Sequence, residues 1–143
     1  KIQMTHNHYP RRAHTDCDNL AWMREAFQNP VFINKEDAQE RGIEQGDTIK
    51  VYNDQGAFLR PASVSRNIMR GVICVPHGAT ARIDEETGID IAGADNILTP
   101  SNRTTTPFLN SWNSVLVSYE KYDGPIELKP DYEMDQIVPN VVG

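Results

Sequence analysis

Between residues 31 and 75 the chain alternates short β-prone runs with tight reversals, leaving room only for a very small helix. Val31-Phe32-Ile33 follows Pro30 and reads as a strand. Asn34 is a good helix N-cap, Asp37 falls at the third helical position where a carboxylate can answer free amides, and Gly42 suits the left-handed residue past the helix end. Two turns of helix do not persist alone in water, so they must lean on the sheet. A turn at Gln45-Gly46-Asp47 leads into a strand over 48–52, Asn53-Asp54-Gln55-Gly56 reverses the chain, and 57–65 runs back. Pro61 in the returning strand predicts an edge position or a bulge. Gly71 then opens Val72-Ile73-Cys74-Val75, which Pro76-His77-Gly78 ends sharply.

On the N-terminal side, residues 1–5 can start a strand. Asp18 can cap a helix over 19–27 in which Leu20, Met23 and Phe27 form a core-facing stripe. Trp22 and Arg24 lie off that stripe, and packing is the expected role of Trp22. On the C-terminal side, 79–95 reads as a solvated acidic loop, since its carboxylates do not fall at EF-hand positions. Ile97-Leu98 is too short an apolar pair to build much core, whereas 115–119 is a strand able to close the sheet. Asp123-Gly124-Pro125 breaks the chain, so we expect one domain over 1–122 and a tail over 123–143 that is disordered or straps across the body.

With 143 residues the chain is one domain with a single core. A net charge of −6 without Lys/Arg runs gives no footprint for nucleic acid or an anionic membrane, and no apolar run reaches membrane-spanning length. The chain opens on Lys rather than Met, which predicts a piece of a longer protein. Cys17 and Cys74 are expected as free thiols, Cys74 buried in its strand.

Two polar clusters carry the chemistry. His6, His8, Arg11, Arg12, His14, Thr15, Asp16 and Cys17 crowd into a dozen residues. His14 with Cys17, or His6 with His8, admits a metal reading, but the spacing matches no closed zinc pattern and only His77 is offered downstream. The same residues suit a solvated loop, or a loop meeting an anionic or heteroaromatic ligand. The second cluster, 96–113, is rich in Asn, Ser and Thr, neutral groups able to read a ring edge, and equally able to form ordinary turns. Neither a nucleophile elbow, nor a phosphate loop, nor GxGxxG after a strand is present.

Arg12-Ala13-His14-Thr15, the segment Ile33-Asn34-Lys35-Glu36-Asp37-Ala38 with Gly42-Ile43 and Gly46-Asp47, the strand 49–53 with Gly56, and Gly71-Val72 occur in an order that resembles the C-terminal cofactor-binding domain of molybdopterin oxidoreductases, the dimethyl sulfoxide reductase family. Asn96-Ile97-Leu98-Thr99, Arg103 and the stretch 113–121 look most like the anaerobic dimethyl sulfoxide reductase catalytic subunit. The resemblance covers roughly residues 3–121 and implies a mainly β fold with small helices, a six-stranded double-psi β-barrel of the aspartate-decarboxylase-like class. It implies a domain that helps bind bis(molybdopterin guanine dinucleotide) with molybdenum, jointly with other domains, and not active alone. His14, Thr15, Asn96, Thr99 and Asn113 match the family's cofactor-binding elements; the family commonly has Ser where this chain has Thr15, and the hydroxyl is kept. The implied partners are the remaining domains of the catalytic subunit and an iron–sulfur electron-transfer subunit, without nucleic acid or direct membrane insertion. The implied location is the periplasmic or cytoplasmic face of a bacterial membrane. Substrate, and molybdenum against tungsten, stay open.

Two other readings use the same barrel. A self-processing aspartate decarboxylase needs cleavage at Gly-Ser, and no Gly here precedes Ser. A protein-binding adaptor module would favour a basic or apolar groove, against an acidic chain with polar loops.

Overall fold

The computed structural model describes residues 1–100, 115–130 and 133. Strands β1 (Ile2–Asn7), β2 (Val31–Asn34), β3 (Thr48–Asn53), β4 (Gly56–Ser65), β5 (Val72–Pro76) and β6 (Val115–Lys121) form a barrel in the order β1-β5-β2-β4-β3-β6, closed by β6 on β1. Helices α1 (Ala21–Ala26) and α2 (Lys35–Glu40) and a 3-10 turn (Asp95–Leu98) accompany them. β1 with β5 and β2 with β4 pair in parallel, and β5 joins the two pairs by running antiparallel to β2. A tight hairpin cannot link parallel neighbours, so each pair needs a connection that crosses the barrel. The mainly β, six-stranded closed barrel expected from the family resemblance is the architecture found.

Period-two alternation builds the interior: Val31 and Ile33, Ile49 and Val51, Ile73 and Val75, and Val115 and Val117 all point inward. Leu98 is fully buried in the same core and Ile97 packs against it. The apolar pair that looked too short therefore contributes, because the 3-10 turn is held down by Asn53, whose Nδ2 donates to Leu98 O at 2.8 Å.

Asn34 caps α2 as expected, its Oδ1 accepting from Glu36 N (2.8 Å) and Asp37 N (3.2 Å). Asp37 does more than face the helix dipole: Oδ2 accepts from Gly71 N at 2.7 Å and Oδ1 from Arg70 Nε at 2.9 Å, tying α2 to the entry of β5.

Pro61 marks neither an edge nor a bulge. β4 lies between β2 and β3 and changes partner there: residues 56–61 pair with β3, and residues 62–65 with β2. The missing proline N–H falls at the switch.

α1 departs from its predicted capping. Its N-cap is Leu20 without a side-chain cap, because Asp18 is drawn to Arg11 and Arg12 instead. Leu20, Met23 and Phe27 of the expected stripe are half-buried, but Arg24, placed off it, is the buried residue of this helix, and Trp22, expected to pack, is 63% exposed. Nor is the acidic loop wholly solvated. Asp90 is fully buried, with Oδ1 accepting from Arg82 N and Ala92 N and Oδ2 from Ala94 N at 2.5 Å, and its backbone bridges β4 at Ala57 and Leu59. Cys17 is exposed and Cys74 buried, both free. Leu128, Lys129 and Pro130 of the tail line a cavity of about 200 Å³ with Asn29, Leu59 and Arg60. No helix among the described residues is long and apolar enough to cross a membrane.

Candidate functional site

β1 and β5 run side by side and end together, with Asn7 opposite Pro76 and His77 N donating to Asn7 O at 3.0 Å. His6 near the end of β1, His77 just past β5 and Asp95 at the start of the 3-10 turn meet there. Asp95 is buried; its Oδ2 stands 2.5 Å from His77 Nδ1 and 3.2 Å from His6 Nε2, and its Oδ1 accepts from Gly78 N at 2.9 Å. Burial alone would raise the Asp95 pKa, but the His6, Gly78 and His77 hydrogen bonds and the nearby Arg60 charge outweigh it and hold the carboxyl well below the usual range. Asp95 is therefore a carboxylate, and the ring nitrogens facing it carry protons. Two ligand atoms on one tetrahedral zinc lie about 3.3 Å apart, so the 2.5 Å separation is a hydrogen-bond distance, not a shared-metal one.

All four histidines of the chain join this cluster. His6 and His77 meet edge to face with centroids 5.8 Å apart, His77 and His14 at 4.9 Å, and His14 and His8 at 6.2 Å. The 8–20 loop reaches His77 because it lies directly on Gly78. A Cβ at Gly78 would sit 1.7 Å from His14 O, and Gly78 has φ +111°. His14 (φ +57°) and Ala79 (φ +115°) are left-handed as well, so backbone strain concentrates where these loops touch.

Beneath the loops lies Arg60 of β4, 1% exposed. Its Nε and Nη2 donate to Gly93 O, Nη1 to Pro30 O and Pro76 O, and Nη2 also to Gly78 O. Burial pushes its pKa down to about 9, which still leaves it charged at neutral pH. Arg60 thus fixes the segments that carry His77 and Asp95.

Of the residues singled out from sequence, His14 joins the cluster directly, and Thr15 follows it on the exposed loop with its carbonyl accepting from Asp18 N. Asn96 is exposed and adjoins Asp95; Thr99 ends the same turn, its buried Oγ1 without a hydrogen-bond partner among the described residues. The His14 and Asn96 loops therefore converge on one region through His77 and Asp95. Pro100, next to Thr99, lines a hollow of about 280 Å³ with Asn53, Gln55 and Leu116. Asn113 lies outside the described residues. Sequence reasoning missed His6, His77 and Asp95 as a unit. The available signal was that His77 sits in a sharp Pro-His-Gly break after a buried strand, and that Asp95 adjoins Asn96.

A family model described as the molydopterin dinucleotide binding domain matches residues 2–113. The chain is 36% identical over 121 residues to the probable dimethyl sulfoxide reductase chain YnfF of Escherichia coli (strain K12), covering 84% of this chain and 15% of that protein. It is 32% identical over 120 residues to the dimethyl sulfoxide reductase DmsA of the same organism, with the same coverages. With the trimethylamine-N-oxide reductase of Pasteurella multocida (strain Pm70) it shares 36% identity over 125 residues, 82% of this chain and 15% of that one. The chain thus spans about 15% of the length of these relatives. Among solved structures, acetylene hydratase from Pelobacter acetylenicus matches with a TM-score of 0.68 at 16% identity, over 85% of this chain and 18% of that one, a likeness of fold.

Proposed function

The chain belongs to the molydopterin dinucleotide binding domain family, and on that premise we propose that it serves as the cofactor-gripping barrel of a larger molybdenum oxidoreductase subunit of the dimethyl sulfoxide reductase type. Residues 1–122 form the binding barrel and 123–143 its tail. The ligand is bis(molybdopterin guanine dinucleotide) with molybdenum, held jointly with the other domains of the subunit, and an iron–sulfur subunit supplies electrons. When bound, the cofactor supplies the oxygen-atom and two-electron chemistry; this chain's residues bind and orient it.

The observation that carries the reading is the convergence of the His14 loop and the Asp95–Leu98 turn on one buried, hydrogen-bonded cluster. The donor set fits such a ligand. A dinucleotide combines phosphoryl oxygens with pterin and guanine edges; it needs cations, N–H donors and groups that both donate and accept. Arg12 and the histidines supply the first two, and the side chains of Thr15, Asn96 and Thr99 the last. Asn113 is assigned to the same role on its family match.

The test is cofactor retention in the full-length protein. His14→Ala or Asn96→Ala is expected to lower molybdenum and guanine content at least tenfold, about 1.4 kcal/mol of binding per decade. Full content in both variants refutes the assignment.

A further inference from the structure

For a chain of net charge −6, the region around the 8–20 loop is unexpectedly cationic inside. Arg11, Arg12, Arg24 and Arg60 are all buried, at 2%, 7%, 6% and 1% exposure. The carboxylates near them are fewer and already engaged. Asp95 is taken by His77, His6 and the Gly78 amide, and Asp90 by three backbone amides. Arg60 spends its donors on neutral carbonyls. That leaves Asp18, and one of its oxygens serves two guanidinium groups: Oδ1 accepts from Arg11 Nη2 at 3.0 Å and Nε at 3.2 Å, and lies 3.0 Å from Arg12 Nη2.

Arg12 is the group left short. Its Nε and Nη1 are buried and find no hydrogen-bond partner among the described residues. A buried guanidinium with empty donors is costly, and native proteins retain such a group where something completes it. Burial, then the neighbouring Arg11 charge, lowers its pKa to about 10, so it is still a cation at neutral pH. Its position also associates it with the histidine cluster. A Cβ on Gly78 would stand 3.0 Å from Arg12 Cδ, on the same face that meets His14 O.

We propose that Arg12 is a ligand-binding residue: Asp18, shared with Arg11, holds its Nη2, and the unpartnered Nε and Nη1 to either side of that nitrogen each donate to an oxygen of a phosphoryl-type anion. This rests on the dinucleotide reading above and deepens it, since the anion is then the diphosphate of that ligand. Arg suits the role where Lys does not, because its planar guanidinium fixes several donors in different directions, so that one can be held by Asp18 while the others meet oxygens.

Two measurements on the full-length protein test it. The first is molybdenum, and guanosine monophosphate released by acid, per protein chain. Arg12→Met is expected to lower both at least tenfold, and Arg12→Lys to fall between it and the wild type. The second is the melting temperature of the cofactor-free protein with and without inorganic pyrophosphate. Without pyrophosphate, Arg12→Met is expected to melt no lower than the wild type, because an incompletely paired buried cation has been removed. Pyrophosphate is expected to raise the melting temperature of the wild type and not of Arg12→Met. Full cofactor content in Arg12→Met, equal protection of both proteins by pyrophosphate, or a cofactor-free Arg12→Met that melts well below the wild type overturns the proposal and makes Arg12 a structural strut. A wild type that carries no dinucleotide yet shows Arg12-dependent pyrophosphate protection supports the anion site and refutes the larger reading.

Discussion

Gly93 lies so close along the Arg60 side chain that a Cβ there would stand 2.7 Å from both Cγ and Nε, and the Gly93 carbonyl accepts from the same guanidinium. Contact and hydrogen bond lock one loop residue onto one buried cation. Gly93→Ala meets this crowding at a left-handed φ of +73°. It should cost more than about 1 kcal/mol. Arg60→Ala should cost about 3–5 kcal/mol, because four carbonyls on three segments lose the donor that satisfies them. Urea midpoints of the two variants measure both, and a change below 1 kcal/mol in Arg60→Ala would show that water replaces the guanidinium.

Gly78→Ala separates site from scaffold. The new methyl cannot coexist with His14 O, and the lowest-cost response is displacement of the 8–20 loop. We expect near-native far-ultraviolet circular dichroism together with at least a tenfold loss of bound cofactor in the full-length protein. Loss of the β-sheet signal itself would place the loop within the folding core.

Asp95→Asn keeps the shape and removes the charge. Its amide presents one acceptor to a site where two histidine rings and the Gly78 N–H all seek one. The expected outcome is at least a tenfold drop in cofactor content with His77 no longer fixed as the Nδ1–H tautomer. Side-chain ¹⁵N shifts of His77 report the tautomer, and an unchanged spectrum would detach Asp95 from His77 orientation.

Asp37 predicts an acid-dependent share of stability. Burial alone would raise its pKa, but the Gly71 amide and Arg70 outweigh that and lower it. A depressed folded pKa means stabilisation that is present above the unfolded value near ~3.9 and is lost as pH falls through the folded value. Asp37→Asn should therefore be less stable than wild type at pH 7, by about 1.5–3 kcal/mol for a hydrogen bond to a charged group. The gap should close on acidification from about pH 4 towards pH 2. Urea midpoints at pH 7 and pH 3 check this, and a gap independent of pH would remove the carboxylate from the account.

What could be read from the sequence was local. Asn34 announces its helix because the capping partners are two and three residues away, and the 53–56 reversal is set by its own turn residues. Arg60 could not be read in this way, because the carbonyls it serves lie 16 to 33 residues distant and nothing in a strand sequence marks an inward arginine. Asp18 shows the competition directly: helix capping was its local option, and two buried guanidinium groups were the stronger long-range one. Similarly, motif order named His14 and Asn96 as candidates, while the pair between them, His77 and Asp95, depends on β1 and β5 ending at the same level.

The exchange of neighbours along β4 bears on how such a barrel can be inherited or engineered. One strand completes two different ladders, so a cut on either side of it leaves both with a bare edge. Fusion, permutation or transplantation should therefore succeed only when the stretch from β2 through β4 travels as a single cassette.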